Sequence, residues 1–392
     1  MGQAKHKRKH AKPKRVQAKS RRRHAVQISI VLVAVVLATG GAIVTTSIAV
    51  SADRPTAASQ PPAPPTRTPN APAIVIADST IQDLSGGWLM SNHGEYLLFV
   101  STSFGDTRDN IPILTGSPGN WSSAVDALPT MPPWAVPVSR GGTTWEPEVH
   151  RFGATYVLYY SAKMAGVTPP TQCLGTAVAT SAAGPYSPSP QPIVCQRDQG
   201  GDIDPQAVID DSSSQPRPYL VWKSDNNSTN HTGTDLIWSQ PLAPDGLTVV
   251  GSPTTIYGLS QVPAWASPII EAPQMVEAPN RTWWLFYSGG DGFGGPKYAV
   301  GVAKCDGISG PCTAMGTQPL VGSNAQGVGP GEETIFQTGG SSTGSSTWVL
   351  YNPWHGNIPY RWFRPVVAAR IGWGSAGPFI AEAGTFPAPS GA

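Results

Sequence analysis

The chain has 392 residues, with 43 Gly, 41 Pro and 13 Trp, and only 13% of its residues are charged. This balance excludes long helical bundles and suits many short strands joined by tight turns. A net charge of +2 conceals an asymmetry: residues 1–24 carry eleven Lys/Arg and no acid, whereas residues 73–392 carry thirteen Lys/Arg against twenty-three Asp/Glu, so the body lacks the basic face that a nucleic-acid partner demands.

The basic tail, 1–24, runs into an apolar stretch, 25–50, as long as the ~20 residues a bilayer-spanning helix needs. With Arg21, Arg22 and Arg23 at its edge, the positive-inside rule keeps the tail in the cytoplasm and exports the remainder of the chain. The expectation is a single-pass transmembrane helix with an extracytoplasmic domain; the alternative is a long signal peptide cut after Ala52, which would release the domain. Residues 51–72 are rich in Pro, Ala and Thr and read as an extended linker, so the folded domain is placed at 73–392.

Within that domain one aromatic strand recurs five times: Tyr96-Leu-Leu-Phe-Val-Ser, Tyr156-Val-Leu-Tyr-Tyr-Ser, Tyr219-Leu-Val-Trp-Lys-Ser, Trp284-Leu-Phe-Tyr-Ser and Trp348-Val-Leu-Tyr-Asn. The intervals are 60, 63, 65 and 64 residues. A period near 60 with several strands and no helical pattern predicts an all-β, five-bladed β-propeller of four-stranded blades; solenoid repeats are usually shorter. The four cysteines contain no C-x-x-C pair and come after the export segment, so disulfides are expected. Of three connectivities, Cys173–Cys195 and Cys305–Cys312 are favoured because each closes a loop within one repeat.

Each aromatic strand is preceded by a segment that sets an acid beside apolar residues: Ile76-Ala77-Asp78, Trp145-Glu146-Pro147-Glu148, Ile203-Asp204-Pro205, Ile270-Glu271-Ala272-Pro273 and Gly331-Glu332-Glu333. As innermost strands these would bring acids from different blades to one end of the axis. Converging carboxylates push one another's proton affinities apart, as acid/base cleavage of a glycosidic bond requires. Two other patterns fail on context. Gly340-Ser341-Ser342-Thr343-Gly344 has no helix after it to make a nucleophile elbow, and Gly290 to Gly295 runs into Pro296 and a strand.

These residues resemble glycoside hydrolase family 43 over nearly all of 73–392. The likeness rests on Ala77-Asp78-Ser79-Thr80, Asn110-Ile111-Pro112-Ile113, Trp145-Glu146-Pro147-Glu148 (Trp-Ala-Pro-Asp/Glu in the family), Ile203-Asp204-Pro205 and Glu271-Ala272-Pro273. It implies an inverting glycosidase acting on arabinofuranosyl or xylosyl linkages of a polysaccharide or oligosaccharide, as a monomeric catalytic domain with no required cofactor. Asp78 would be the base, Glu271 the acid and Asp204 the residue that raises and orients the acid. An insertion from Gln82 to Glu95 leaves Asp83 as the second candidate for the base. Trp145, Glu148, Trp88, Trp265 and Trp354 are the candidate substrate-binding residues. The family's fifth blade often carries a His that helps to hold a central cation; here Glu332 takes its place, and with Glu333 could supply oxygen ligands to a structural calcium. The competing expectation is a non-catalytic carbohydrate-binding propeller at the cell surface.

Overall fold

The computed structural model describes residues 73–78, 83–102, 108–229, 235–292, 295–338, 346–354, 364–382 and 384–390. The basic tail, the apolar segment and the linker lie outside them, and among the described residues no helix is long and apolar enough to cross a bilayer.

The described strands form five antiparallel sheets. From the axis outward, blade I holds Trp88–Asn92, Glu95–Phe99, Pro112–Ser117 and Asn120–Trp121, and blade II holds Thr144–Phe152, Thr155–Lys163, Gln172–Ala179 and Ser187–Pro188. Blade III holds Asp202–Asp210, Arg217–Ser224, Leu236–Pro241 and Thr254–Gly258. Blade IV holds Ile269–Glu277, Trp283–Gly290, Ala299–Cys305 and Cys312–Ala314, and blade V begins with Val328–Thr338, Ser346–Trp354 and Val366–Gly374. The innermost strands contact one another in a closed ring, which makes the molecule the expected five-bladed β-propeller.

The recurrent aromatic strand is the second of each blade, and its unbroken apolar character arises from burial on both faces. In blade II, Leu158 and Tyr160 enter the hydrophobic cluster shared with blade I, while Val157 and Tyr159 enter the one shared with blade III. Among the described residues such clusters fill every interface around the ring. The disulfides are Cys173–Cys195 and Cys305–Cys312, with S–S lengths of 1.96 and 1.98 Å.

One element differs from the sequence expectation. Ile74–Ala77 is not the inner strand of blade I; it pairs antiparallel with Val366–Gly374 at the outside of blade V. A ring of sheets has no covalent closure, and this strand supplies one by crossing from the last blade to the first. The C-terminal segment reinforces the same seam. Tyr96 of blade I donates to the Pro387 carbonyl at 2.7 Å, and Gly94 N–H to the Ser390 carbonyl at 3.0 Å. Phe386 packs against Tyr96 of blade I and Phe336 and Trp348 of blade V. Phe386→Ala is therefore expected to lower unfolding free energy by about 3 kcal/mol, the usual cost of removing a buried Phe. Chemical denaturation checks this, and a loss below about 1 kcal/mol would show that the latch is dispensable.

Candidate active site

The inner strands share one local irregularity. Glu146, Asp204, Ala272 and Glu332 have φ of 47, 55, 49 and 51°, and each lies at a register shift in its strand. Gly86, at φ 57°, holds the matching place in blade I. A non-Gly residue in this left-handed region costs roughly 1–3 kcal/mol, and the bulge re-aims its side chain towards the axis. At Gly86 a Cβ would collide with the carboxylate of Glu146, so the glycine vacates space that the acid fills.

The bulge also turns a backbone N–H towards the preceding blade, where it needs a buried acceptor. Ser101 accepts from Glu146 N at 2.9 Å, Ser161 from Asp204 N at 3.0 Å, Ser288 from Glu332 N at 2.8 Å and Asn352 from Gly86 N at 3.2 Å. These acceptors close the recurrent aromatic strands. Two residues beyond each bulge a second ring of ties appears. Glu148 accepts from Ala207 N at 3.1 Å, Gln206 from Met275 N at 2.6 Å and Gln274 from Ile335 N at 3.3 Å, while Thr334 donates to the Gly87 carbonyl at 2.9 Å.

Above the bulges opens a cleft of about 510 Å³ lined by Trp145, Glu146, Asp204, Glu271, Glu332 and Arg364, among others. Glu271 Oε1 accepts from the Tyr298 hydroxyl at 2.7 Å, and its Oε2 lies 3.3 Å from Lys223 Nζ, a fully enclosed ammonium that also donates to Asn227 Oδ1 at 2.6 Å. Asp204 Oδ2 accepts from Ala272 N at 2.8 Å. Arg364 binds Asp83 through its backbone N, Nε and Nη2 at 2.9, 3.2 and 3.0 Å, and reaches Glu332 with Nη1 at 2.6 Å.

Burial dominates the titration of this cluster. It pushes the Asp204 carboxyl up to about 8, with Lys223 opposing and Glu271 adding to the rise. Burial also lifts Glu146 well above the usual carboxylate range, helped by Glu332 and then Asp204. Glu332 is raised by burial although Arg364 pulls it down. For Lys223, burial disfavours the cation, but Glu271, Asp235, Asp225 and Asp204 together more than offset it and hold the ammonium above the ordinary lysine value.

Of the acids expected from sequence, Asp204 and Glu271 line the cleft and Asp78 does not join them. It is exposed at the end of the strand that closes blade V. Asp83, three residues before Gly86, is the blade I acid beside this cluster, buried against Arg364 behind the residues that line the cleft. Spacing offered a partial signal: Asp83 and Asp78 lie 13 and 18 residues before Tyr96, while Asp204 and Glu271 lie 15 and 13 before Tyr219 and Trp284.

The candidate binding residues divide similarly. Trp145 lines the cleft. Glu148 lies beneath it, bound to His150 at 2.8 Å and tied to Ala207, the structural place that Gln206 and Gln274 hold in their blades. Trp88 lines the narrow axial channel below the cleft, Trp265 stacks on Tyr287 with centroids 6.1 Å apart, and Trp354 is buried beneath the Arg364 guanidinium at 4.8 Å. Sequence reasoning passed over Glu146, Lys223, Tyr298 and Arg364 as site residues. Lys223 was hidden because the third repeat still carries Ser224, and only the strand register shows the lysine in the place of Ser161 and Ser288. Glu332 and Glu333, the expected oxygen ligands of a calcium, both have protein partners. Glu332 is spent on Arg364, Glu333 accepts from Ser288, and among the described residues no group of three or more His, Cys, Asp or Glu is disposed to hold a metal ion.

Burial also predicts a pH dependence. Asp204, at about 8, and Asp202, raised by burial to about 7, bind a proton more tightly folded than unfolded, where an Asp titrates near ~3.9. Their contribution to stability is full below about pH 4 and is lost as pH rises through about 7 to 8. Unfolding free energy is thus expected to fall from about pH 5 to about pH 8.5, and Asp204→Asn to flatten that fall by at least about 1 kcal/mol. Denaturation curves at the two pH values check this; parallel losses in both proteins would refute it.

Comparison with known proteins places this geometry. The profile of "Glycosyl hydrolases family 43" matches residues 81–379. No curated protein matches the chain. Among solved structures, a thermostable family-43 glycoside hydrolase superposes with a TM-score of 0.64 at 19% identity, over 80% of this chain and 99% of that one. An endo-1,4-beta-xylanase from Bacteroides thetaiotaomicron VPI-5482 gives 0.60 at 19%, over 80% and 97%. An alpha-L-arabinofuranosidase from Lactobacillus brevis gives 0.60 at 15%, over 78% and 97%. A profile match across most of the chain shows descent, and the chain belongs to glycosyl hydrolases family 43, a family of glycosidases.

Proposed function

We propose that the propeller hydrolyses arabinofuranosyl or xylosyl linkages of a polysaccharide with inversion, and that it works outside the cytoplasm. The observation that carries the catalytic reading is the meeting of Glu146, Asp204, Glu271 and Glu332, from four blades, in one cleft. Similar structures include an endo-arabinase and a xylan beta-1,4-xylosidase, which supports a pentose-containing substrate. The apolar segment 25–50 behind an arginine-rich tail, together with two disulfides in the domain, supports export and tethering.

In this reading Glu271 protonates the leaving oxygen. Tyr298 and Lys223 fix its two oxygens, and its partial exposure in the cleft wall lets substrate reach it. Asp204 bridges blades III and IV beside it and is kept largely neutral by burial. Asp83 activates the water that attacks from the opposite face, and Arg364 holds its carboxylate in place. Asp83 accepts three hydrogen bonds from Arg364 and one from Ser85 at 3.1 Å, so the guanidinium must yield one of them for water to be engaged. Glu332, which shares Arg364 and lines the cleft, is the competing base.

Release of pentose from aryl α-L-arabinofuranoside, aryl β-xyloside and linear arabinan tests the assignment. On linear arabinan Glu271→Gln and Asp83→Asn are each expected to lose about 10²–10⁴ in kcat/KM, on the aryl glycosides Glu271→Gln loses much less because the leaving group needs little protonation, and Asp78→Asn stays within about twofold throughout. Loss confined to Glu332→Gln would move the base there. Proton NMR of the first-formed anomer tests inversion. Saturable glycan binding without turnover would make the protein a carbohydrate-binding propeller.

A further inference from the structure

Blade III breaks the pattern that the other four keep. The residue of its second strand that should accept the next bulge N–H is Lys223, in register with Ile203 as Ser161 is with Trp145 and Ser288 with Glu271. An ammonium has no acceptor. The N–H it would have served, that of Ala272, is taken by Asp204 Oδ2 at 2.8 Å. The lysine, fully enclosed, turns to Asn227 at 2.6 Å and Glu271 at 3.3 Å.

We infer that Lys223 is the positioning residue for Glu271, occupying the place of an interblade hydroxyl so as to hold that carboxyl in the cleft wall and set the pH range over which it can give up a proton. The inference rests on the glycosidase reading for its catalytic meaning, though not for its geometry. The groups around Glu271 come from every neighbouring element. Lys223 and Asp225 lie on or just beyond the second strand of blade III, Asp204 on its inner strand and Asp235 before its third. Tyr298 precedes the third strand of blade IV, and Glu146, Glu332 and Glu333 lie on the inner strands of blades II and V. All of these except Tyr298 and Lys223 are acids that oppose a second negative charge. Lys223 is the cation that touches Glu271 among the described residues. Gly331 leaves room for the Tyr298 ring, where a Cβ would collide, and Tyr298 and Lys223 take different oxygens of Glu271.

Lys223→Met keeps the aliphatic stem and removes the charge. Loss of an opposite charge this close moves a carboxylic acid upward by about one unit or more. The alkaline limb of the kcat/KM profile is therefore expected to shift up by about that amount. Below the limb, kcat on linear arabinan should fall by about tenfold or more, with KM changed less than about threefold. A 4-nitrophenyl glycoside, whose leaving group needs little protonation, should lose much less. Lys223→Ser carries the hydroxyl that three sister blades carry at this place, so it keeps the fold available if the methionine variant does not express, and it should shift the limb in the same direction. A profile that superimposes on the unsubstituted enzyme in a variant with unchanged Tm overturns the inference. Should the unsubstituted protein release no sugar at all, the glycosidase reading fails by itself. The Lys223 inference is then decided by carbon-13 NMR of the Glu271 carboxyl, assigned by its loss in Glu271→Gln, which should titrate at higher pH in Lys223→Met; coincident titrations would reject it.

Discussion

The structure depends on how five inner strands dispose of one backbone N–H each. A left-handed residue in every inner strand swings an amide out of its own sheet and into the dry space between blades. An amide left there without a partner costs of order 1–3 kcal/mol, comparable with the strain of the bulge that put it there. Side chains at the ends of the preceding aromatic strands meet that demand in four blades, and a second ring of Glu148, Gln206, Gln274 and Thr334 repeats the device two residues deeper. The same irregularity that threatens the blade interfaces points three carboxylates at the axis.

This constraint explains what the sequence disclosed. The aromatic strands were legible because burial on both faces forces apolar residues at successive positions, and five copies at near-equal spacing leave few architectures. Asp204 and Glu271 were legible because the acid and the proline after the bulge recur together at blade spacing. Asp78 misled for a physical reason: Ile76-Ala77-Asp78 has the local look of an inner strand, but ring closure needs a strand from one chain end on the last blade, and no local pattern distinguishes an outer strand from an inner one. Glu148 misled differently, since a carboxylate replaces the amide of Gln206 and Gln274 in a tie that any acceptor can make. Arg364 and Tyr298 left no periodic trace because they enter from segments that vary between blades.

Charge in the cleft is balanced across blades. Arg364 compensates Asp83 and Glu332 on one side, and Lys223 compensates Glu271 on the other, with burial raising the proton affinity of Asp204 and Glu146 in between. A calcium ion at the axis would supply the same compensation with two positive charges in one place. Two separate cations instead leave the carboxylates of the two sides in different environments, and such a difference is what allows neighbouring acids to take opposite roles.

A buried lysine survives only where enough negative charge surrounds it, because removing one partner of an enclosed ion pair strands the other. Lys223 has Asp204, Asp225, Asp235 and Glu271 about it, and Asp235 in turn accepts from Ile270 N at 3.3 Å on the strand that carries Glu271. Where the sister blades have a serine, this lysine is therefore accompanied by acids on two blades, and the amide a hydroxyl would serve is held by Asp204. At the level of the bulge the interface between blades III and IV is held by Asp204 and Lys223, while two residues deeper Gln206 keeps the neutral tie to Met275 N. That interface is also where the proposed proton donor sits, so the chemistry of the cleft and the cohesion of the ring draw on the same few side chains at this one seam.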